Sequence, residues 1–495
     1  MKKYIAVRLL RSLISVFLVV ACVVAIVFKL VPTTRAFQKD ATYKKIKGNT
    51  KIVYEYSKLE DLGYLDYVSM ADMCAEKSDD VKGCLIGGSD EQKEVIEAYE
   101  KSGYSIKELT EYDDLQGGKF AYRYYSVPEL VVRFFKRLFV FDGPNKVPED
   151  RWPEGVERGI SVEKGPNGIP ALACSGCVHK YLLYVDGKFP FLHQNFLNLE
   201  FGESFPTHAG LQTTEVIMRG QGSMKKKEQL FETGQTINSP VLQYTREFKD
   251  KPDSLDKKRY NDNYAKTQNQ MDAPSMVSVS YIFGVLSVIL AYLLALPAGV
   301  IMARNKGKFA DKLGIVYINL LISVPSLAFI FFMKFIGNKL GFPDTFPQLG
   351  FHNIKSYVMP TIILALMSTP SIMMWVRRFM VDQSTADYVK FAKAKGLSKS
   401  EISKNHIFKN AVIPIVNGIP SSIILAISGA VITETIFATP GMGKMLPDAI
   451  SVVNNNMVIT LTFIFTALSI FSVLLGDVLM TVVDPRIQLS AKKGE

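Results

Sequence analysis

The chain has 495 residues, a mean hydropathy of +0.13 and a formal net charge of +11. Charged residues collect between about residues 35 and 272 and apolar runs fill most of the remainder, which excludes an ordinary soluble protein and indicates an integral membrane protein with a large polar insertion. The basic balance does not indicate nucleic-acid binding, because the cytoplasmic side of a membrane protein is expected to be rich in Lys and Arg.

Six segments are apolar and long enough, or nearly so, to cross a bilayer as helices, for which roughly 20 residues are needed. They are Ser12–Phe28, Ala273–Ala303, Leu313–Met333, Tyr357–Val376, Ala411–Thr433 and Met457–Gly476. The first segment follows a basic start typical of a signal peptide, but the residues after it are too bulky for cleavage, and we expect this helix to be retained. The pattern predicts an all-α polytopic membrane protein with six transmembrane helices.

Lys and Arg residues are divided unevenly between the two sides of the membrane. The N-terminal tail and segment 304–312 hold four each, connector 377–409 holds eight, and the tail after residue 483 holds three. Segments 337–356 and 436–456 hold only two and one. Because basic residues accumulate in cytoplasmic loops, both termini are predicted to be cytoplasmic and the long insertion extracytoplasmic, in a protein of the cell membrane.

The spans divide the chain into four parts. We expect an N-terminal tail and first helix in 1–31, an extracytoplasmic insertion in 32–275, a five-helix membrane core in 276–489 with a cytoplasmic connector at 377–412, and a cytoplasmic tail in 490–495. The insertion is too long to be a loop without structure of its own. Its aromatic-rich segments and alternating apolar residues predict a folded domain of mixed α/β type.

Four of the five cysteines lie in the insertion: Cys74, Cys84, Cys174 and Cys177, the last two as a C-x-x-C pair. Outside the cytoplasm, disulfides are the simplest expectation for them. Free thiols and a four-thiolate zinc site are the alternatives. The spacing does not determine the pairing.

No catalytic motif is found in the sequence. The P-loop signature G-x-x-x-x-G-K-[ST], the zinc motif H-E-x-x-H and the nucleophile motif G-x-S-x-G are all absent. We therefore expect no enzyme activity, no ATPase site, and no cofactor or metal bound by this chain. Ionisable residues within the spans are few, which argues against an ion-coupled carrier, since such carriers place charged groups near the bilayer midplane.

The connector between the fourth and fifth spans has the pattern of two short helices. Apolar residues at helical spacing follow Asp387, Gly396 is suited to a left-handed helix end, and Ser398 with Glu401 forms a capping box that starts a second helix. A helix-turn-helix of this kind can dock into a groove of another protein. Its lysines equally fit a positive-inside anchor or a lipid-binding basic patch.

Several motifs resemble one family of membrane proteins. They are DYVKFAKAKGLSKSEISKNHIFKNAVIP (387–414), TETIFATPGMGKML (433–446), ISVPSLAF (322–329), DPRIQL (484–489) and NLEFGESF (198–205). Together they resemble the oligopeptide permeases of ABC importers, subunit-B type (the Opp/Ami family), whose EAA loop is similar to the first motif. The likeness covers the first span and about residues 180–488. The Glu-Ala-Ala positions read Lys390-Phe391-Ala392, so only one alanine remains.

The resemblance implies a type I ABC importer permease fold and the role of one membrane subunit of an ATP-driven oligopeptide importer. The implied partners are a second permease of subunit-C type, two cytoplasmic ABC ATPases that bind the ATP, an extracytoplasmic peptide-binding lipoprotein, the peptide substrate and membrane lipid. Contact with the ATPases is implied for Phe391, Ala392, Ala394, Gly396, Leu397, Ser398 and Glu401. The outer-loop residues Phe437, Pro440, Gly441 and Gly443 are implied to lie beside the translocation path.

Two other classes of function stay open. An ion-coupled secondary transporter would need no nucleotide. A membrane-anchored sensor or scaffold would use the insertion as its receptor domain, which explains the insertion but not six spans and a basic connector.

Overall fold

The computed structural model describes residues 2–109, 118–187, 191–427 and 431–483. The motif at 484–489 and the predicted tail at 490–495 lie outside these residues. The chain begins with a long helix, α1 (Lys2–Leu30), and the insertion follows it.

The insertion alternates short helices with short strands. In chain order they are α2 (Thr33–Phe37), α3 (Ala41–Lys45), α4 (Gly48–Asp61), β1 (Leu65–Ser69), α5 (Met70–Lys77), α6 (Val81–Cys84), α7 (Asp90–Lys101), β2 (Ser105–Glu108), β3 (Lys119–Tyr124), α8 (Val127–Leu138), β4 (Phe139–Phe141), β5 (Gly159–Lys164), β6 (Pro170–Ser175), β7 (Tyr181–Val185), β8 (Leu192–Gln194), β9 (Leu197–Leu199), α9 (Thr213–Met218), β10 (Gly220–Met224), β11 (Lys227–Leu230), β12 (Thr236–Ser239), α10 (Ser254–Arg259) and β13 (Met271–Ser275). This composition is the mixed α/β type that the sequence predicts.

The strands pair antiparallel in small sheets. One sheet has the order β1-β3-β2 and another the order β5-β6-β7-β8. Three further pairs are β4–β9, β10–β13 and β11–β12.

Helices make up the rest of the described chain. They are α11 (Met276–Arg304), α12 (Phe309–Ser323), α13 (Ser326–Lys339), α14 (Lys355–Ser384), α15 (Asp387–Ala394), α16 (Lys399–Glu401), α17 (Lys409–Ala411), α18 (Ile413–Ile427), α19 (Val431–Ile436), α20 (Met442–Val452) and α21 (Asn455–Val483). A π-helical segment, Ile402–Phe408, joins α16 to α17.

Among the described residues, four helical stretches are continuous and apolar enough to cross a membrane: Ala6–Leu30, Met276–Arg304, Lys355–Ser384 and Asn455–Leu479. The count reaches six if each of two bent pairs crosses once. The first pair, α12 and α13, bends by 107°, and the second, Lys399–Ala411 with Ile413–Ile424, bends by 49°.

The predicted span over Leu313–Met333 is therefore bent in the structure. The helix α12 ends at Ser323, and Val324 is extended, with a ψ of 127°. Pro325 comes next and immediately precedes α13. Proline restricts the residue before it to extended conformations and cannot donate a backbone hydrogen bond, so the helix stops and restarts in a new direction.

Glycines let the membrane helices pack closely. A Cβ on Gly299 of α11 would lie 2.7 Å from the Cβ of Val376 in α14, and one on Gly284 would lie 2.5 Å from the carbonyl oxygen of Ala426 in α18. Small residues at such contacts let helix backbones approach within the bilayer. The helix α11 thereby becomes the centre of the membrane core.

The insertion packs directly on the first and last membrane helices. A single apolar core contains residues of α1, the insertion and α21: Val16, Val20, Val24, Leu59, Leu65, Phe134, Phe201, Phe205 and Ile459. Polar contacts join the same parts. Tyr64 accepts a hydrogen bond from the side chain of Asn455, and the hydroxyls of Thr213 and Thr460 lie 2.7 Å apart. An ion pair between Arg8 and Asp477 links the other ends of α1 and α21.

The four cysteines of the insertion form two disulfides, Cys74–Cys84 and Cys174–Cys177. All four side chains are buried. Each disulfide bond joins cysteines that are close in sequence, and the two bonds lie in separate parts of the insertion.

An ionic cluster around the buried Arg246 stabilises the second half of the insertion. Arg246 is 1% exposed and pairs with Glu232 and Asp262, which also accept from Lys180 at 2.9 and 2.7 Å. Burial opposes ionisation of Glu232, but Arg246 and Lys180 outweigh it and lower the pKa of this carboxyl below its ordinary 4.5.

Candidate functional site

The connector at 377–412 has the predicted local structure. The helix α15 ends in a left-handed turn at Gly396, whose φ is +79°. The amide of Gly396 donates to the carbonyl of Lys393, and that of Leu397 donates to Ala392, which satisfies the last carbonyls of the helix. The Ser398 hydroxyl accepts from the amide of Glu401, and the Ser398 amide donates to the Glu401 carboxylate at 2.8 Å. The helix, glycine turn and capping box of the prediction are confirmed.

The predicted contact residues do not all face the same way. Phe391 is 70% exposed, and Ala394, Gly396, Leu397, Ser398 and Glu401 are also exposed. Ala392 is only 4% exposed and packs with Val389 and Ile402. Ala392 therefore holds the two short helices together and is not available to a partner protein.

The connector is attached to the membrane helices through its inner face. Ile407 packs both on the buried core of the connector and on Val376 and Met380 of α14. The hydroxyl of Tyr388 donates to the side chain of Gln383 at the end of α14, at 2.7 Å. These contacts attach α15 to the end of α14.

An ionic contact lies near the connector. The Arg377 guanidinium of α14 binds the carboxylate of Asp311 in α12 with two hydrogen bonds, of 2.5 and 2.8 Å. Asp311 is buried and also accepts from the amide of Gly307. The pair ties the start of α12 to the C-terminal part of α14.

The outer loop lies between α19 and α20. Phe437 is buried against Ile330, Met359 and Ile363, and Pro440 accepts a hydrogen bond from Gln221 of the insertion at 3.3 Å. Gly443 is also buried. The loop is thus packed between the membrane core and the insertion.

A glutamate that the sequence reasoning did not select organises this loop. Glu434 is 4% exposed; it accepts from the hydroxyl of Ser280 at 2.7 Å and from the amide of Lys444 at 2.9 Å. A Cβ on Gly441 would lie 2.5 Å from the carboxylate carbon, so a side chain there would displace the Glu434 carboxylate. A buried carboxylate in an apolar run is itself a signal of function, and Glu434 stands inside the TETIF motif.

A cavity of about 380 Å³ opens between α11, α14, α18 and α19. Its walls carry hydroxyl groups and one carboxylate: Ser280, Ser287, Tyr292, Ser368, Ser371, Ser422, Thr433, Glu434 and Thr439. From α19 and the loop after it, Thr433, Glu434 and Thr439 line the cavity. The four residues selected from the sequence, Phe437, Pro440, Gly441 and Gly443, are not part of its wall. The cavity can therefore hold a polar group within an otherwise apolar bundle.

Comparison with known proteins gives three findings. Residues 295–489 match the family of binding-protein-dependent transport system inner membrane components. The chain is 40% identical, over 100% of both chains, to the oligopeptide transport system permease protein AmiC of Streptococcus pneumoniae. It is 30% identical to the dipeptide transport system permease protein DppB of Lactococcus lactis, over 43% of this chain and 69% of that protein.

Among solved structures, a chain of the MetNI methionine ABC transporter in inward-facing conformations is similar at 15% identity and a TM-score of 0.34. The match covers 42% of this chain and 94% of the MetNI chain.

Proposed function

The chain belongs to the oligopeptide transport system permease proteins, and we infer from this that it is a membrane-spanning permease subunit of a peptide importer in the cell membrane. The full-length similarity to an oligopeptide permease carries the conclusion, because it includes the insertion as well as the membrane core. As a permease the chain is not itself an ATPase.

We propose that the chain works with a second permease, two cytoplasmic ABC ATPases and an extracytoplasmic peptide-binding lipoprotein. The uneven distribution of Lys and Arg supports an orientation with both termini in the cytoplasm and the insertion outside. In this orientation, connector 377–412 faces the ATPases and the insertion faces the lipoprotein. Each bent helix pair then crosses the membrane once, which gives six spans.

The connector is proposed as the element that couples ATP use to transport. Phe391 and Leu397 are apolar, exposed and held on a rigid turn, which fits a groove on an ATPase surface. The contacts of Ile407 and Tyr388 with α14 would carry movement of the docked helix into the membrane core. ATP binding would thus bias a bundle that has two arrangements.

The outer loop and the cavity are proposed to border the peptide route. Phe437, Pro440, Gly441 and Gly443 would fix the loop, while Thr433, Glu434 and Thr439 would present polar groups to the passing peptide. Hydroxyl groups on the cavity wall can hydrogen-bond to peptide amides without binding one sequence tightly, as a transporter of varied peptides requires.

Peptide uptake into proteoliposomes tests the proposed function. The chain is reconstituted with the second permease, the ATPases and the lipoprotein, and uptake is measured with ATP, without ATP, and with an ion gradient alone. We expect uptake only with ATP and all partners. Uptake driven by an ion gradient without ATP would show a secondary transporter, and no peptide uptake in any condition would leave the sensor or scaffold as the better description.

A further inference from the structure

One segment of the insertion reaches the depth of the membrane. The helix α1 has 29 residues, and roughly 20 suffice to cross the hydrocarbon region, so every possible 20-residue window within Lys2–Leu30 contains Phe17. The ring of Phe17 lies 4.7 Å from that of Phe135 and 6.2 Å from that of Phe139, measured between centroids. These two residues, at the end of α8 and the start of β4, therefore lie beside the membrane-spanning part of α1.

The helix α8 is built to descend along α1. It starts in a capping box formed by Ser126 and Glu129 and buries Leu130, Phe134 and Leu138, which repeat every four residues on one face. Tyr125, two residues before α8, donates to the carbonyl of Tyr64, whose ring lies 4.5 Å from that of Phe28 near the C-terminal end of α1. Phe135 instead contacts Phe17, which lies about 16 Å lower along α1 at 1.5 Å per residue. The C-terminal end of α8 is thus its deepest part.

Aromatic rings are exposed at this deep end. We define the aromatic tip as Phe139, Phe141 and Phe196; Phe141 is 66% exposed, and the other two are also exposed. The strand pairing of β4 with β9 keeps them together, since Phe141 pairs with Leu197 and the amide of Asp142 donates to the carbonyl of Phe196. Lys136, also exposed, lies one turn before the tip on α8.

The aromatic tip continues an exposed apolar surface of α1. Leu10, Ile14 and Leu18 of that helix are exposed in the same region of the chain as Phe17 and form a stripe at helical spacing. Aromatic rings with a neighbouring lysine are the composition of segments that sit at the boundary between acyl chains and headgroups. Both the depth and the composition indicate lipid as the occupant of this surface.

We propose that the aromatic tip inserts into the bilayer and binds phospholipid, with Phe139, Phe141 and Phe196 among the acyl chains and the Lys136 side chain extended toward the headgroups. The insertion then rests in the membrane beside α1 and is not a domain held wholly in water. That the leaflet is the outer one depends on the orientation in the proposed function; the depth of the tip does not.

Spin labels test the depth of the tip. The full chain, assembled with its partner subunits in lipid nanodiscs, carries Cys22→Ser and one added cysteine, at Phe141 or at Phe196. The label's collision with oxygen, which concentrates in lipid, is compared with its collision with a water-soluble nickel chelate. Labels at Ile14 on α1 and at Lys93 on the exposed face of α7 give the lipid and water references.

We expect the labels at Phe141 and Phe196 to favour oxygen, as Ile14 does. Nickel accessibility equal to that of Lys93 would place the tip in water and overturn the proposal. Labels shielded from both reagents would mean that a protein covers the tip, which also overturns it; the isolated chain would then show whether a partner subunit is that protein.

A charged substitution provides a second test. Phe141→Glu should bring the label at Phe196 out of the lipid, because a carboxylate in hydrocarbon is costly. The matched control is Leu230→Glu, another exposed apolar residue of the insertion, on β11, which should leave the label unchanged. Both variants keep the membrane helices and the connector intact. An unchanged label in the Phe141→Glu variant would contradict insertion of the tip.

Discussion

Gly396→Val tests whether the glycine turn of the connector couples the ATPases to transport. Gly396 has a φ of +79°, and a Cβ at this position would meet nothing within 4 Å. The cost of the substitution is therefore backbone strain alone, about 1–2 kcal/mol for a residue with a side chain in the left-handed region. Relative to other conformations of the connector, this strain lowers the population of the native turn by at most about 5-fold for 1 kcal/mol and about 30-fold for 2 kcal/mol.

The apparent affinity for the ATPases should fall by up to the same factor, because only the native turn presents Phe391 and Leu397 together. Binding is measured by titrating purified ATPases onto the permease pair in nanodiscs, and peptide uptake is measured in parallel. Gly396→Asn should lose less than Gly396→Val, since Asn tolerates positive φ better than other residues with a side chain.

The chain offers a matched control at Gly341. This residue follows the end of α13 with a φ of +83°, and a Cβ built on it would also have nothing within 4 Å. Its turn has the same type of hydrogen bond as the turn at Gly396, because the Phe342 amide donates to the carbonyl of Gly337. Gly341→Val imposes the same strain away from the connector and should leave ATPase affinity unchanged. Normal affinity and uptake in Gly396→Val, or an equal loss in Gly341→Val, would refute the role of the Gly396 turn.

Three further predictions concern charged side chains. Glu434→Ala leaves the Ser280 hydroxyl and the Lys444 amide without their acceptor and should destabilise the protein by about 1–3 kcal/mol, seen as a lower melting temperature in detergent, with Glu434→Gln losing less. Arg377→Ala leaves the buried Asp311 carboxylate unpaired and should lower the free energy of unfolding by about 3 kcal/mol. The double variant Asp311→Asn, Arg377→Ala should recover part of this stability. No recovery would show that the unpaired charge is not the cause of the loss. The lowered pKa of Glu232 stabilises the folded insertion above the ordinary value of 4.5, and this stability is lost as pH falls through the folded pKa. Melting temperature measured from pH 7 downward should therefore drop more steeply in the natural protein than in Glu232→Gln.

The sequence predicts features whose cause is local in the chain. The turn at Gly396 and the capping box of Ser398 and Glu401 depend on residues only a few positions apart, and the structure has them where the sequence places them. The break at Pro325 was also visible in principle, because proline stood in the middle of an apolar run. A span criterion based on hydropathy alone does not register it.

Features that depend on distant residues could not be predicted in this way. The hydroxyl that donates to Glu434 belongs to Ser280, 154 residues earlier in the chain. The rings of Phe17 and Phe135 are in contact although the first half of the insertion separates them in sequence. Composition assigns Phe135 to a polar, extracytoplasmic segment. Only the tertiary fold returns it to the side of α1.

The contact between α1 and α21 has a consequence for the order of events during synthesis. The first and last helices share a core with the insertion and are linked by the Arg8–Asp477 pair, yet roughly 420 residues separate Leu30 from Asn455. At about 5–20 residues per second, α1 waits about 20–80 s in the membrane before its partner emerges from the ribosome. During that interval Val16, Val20 and Val24 have lipid or a chaperone as their only available neighbours on the α21 side. The packing of α1 against α21 is therefore among the last steps in the biogenesis of this protein, although α1 is the first helix to be made.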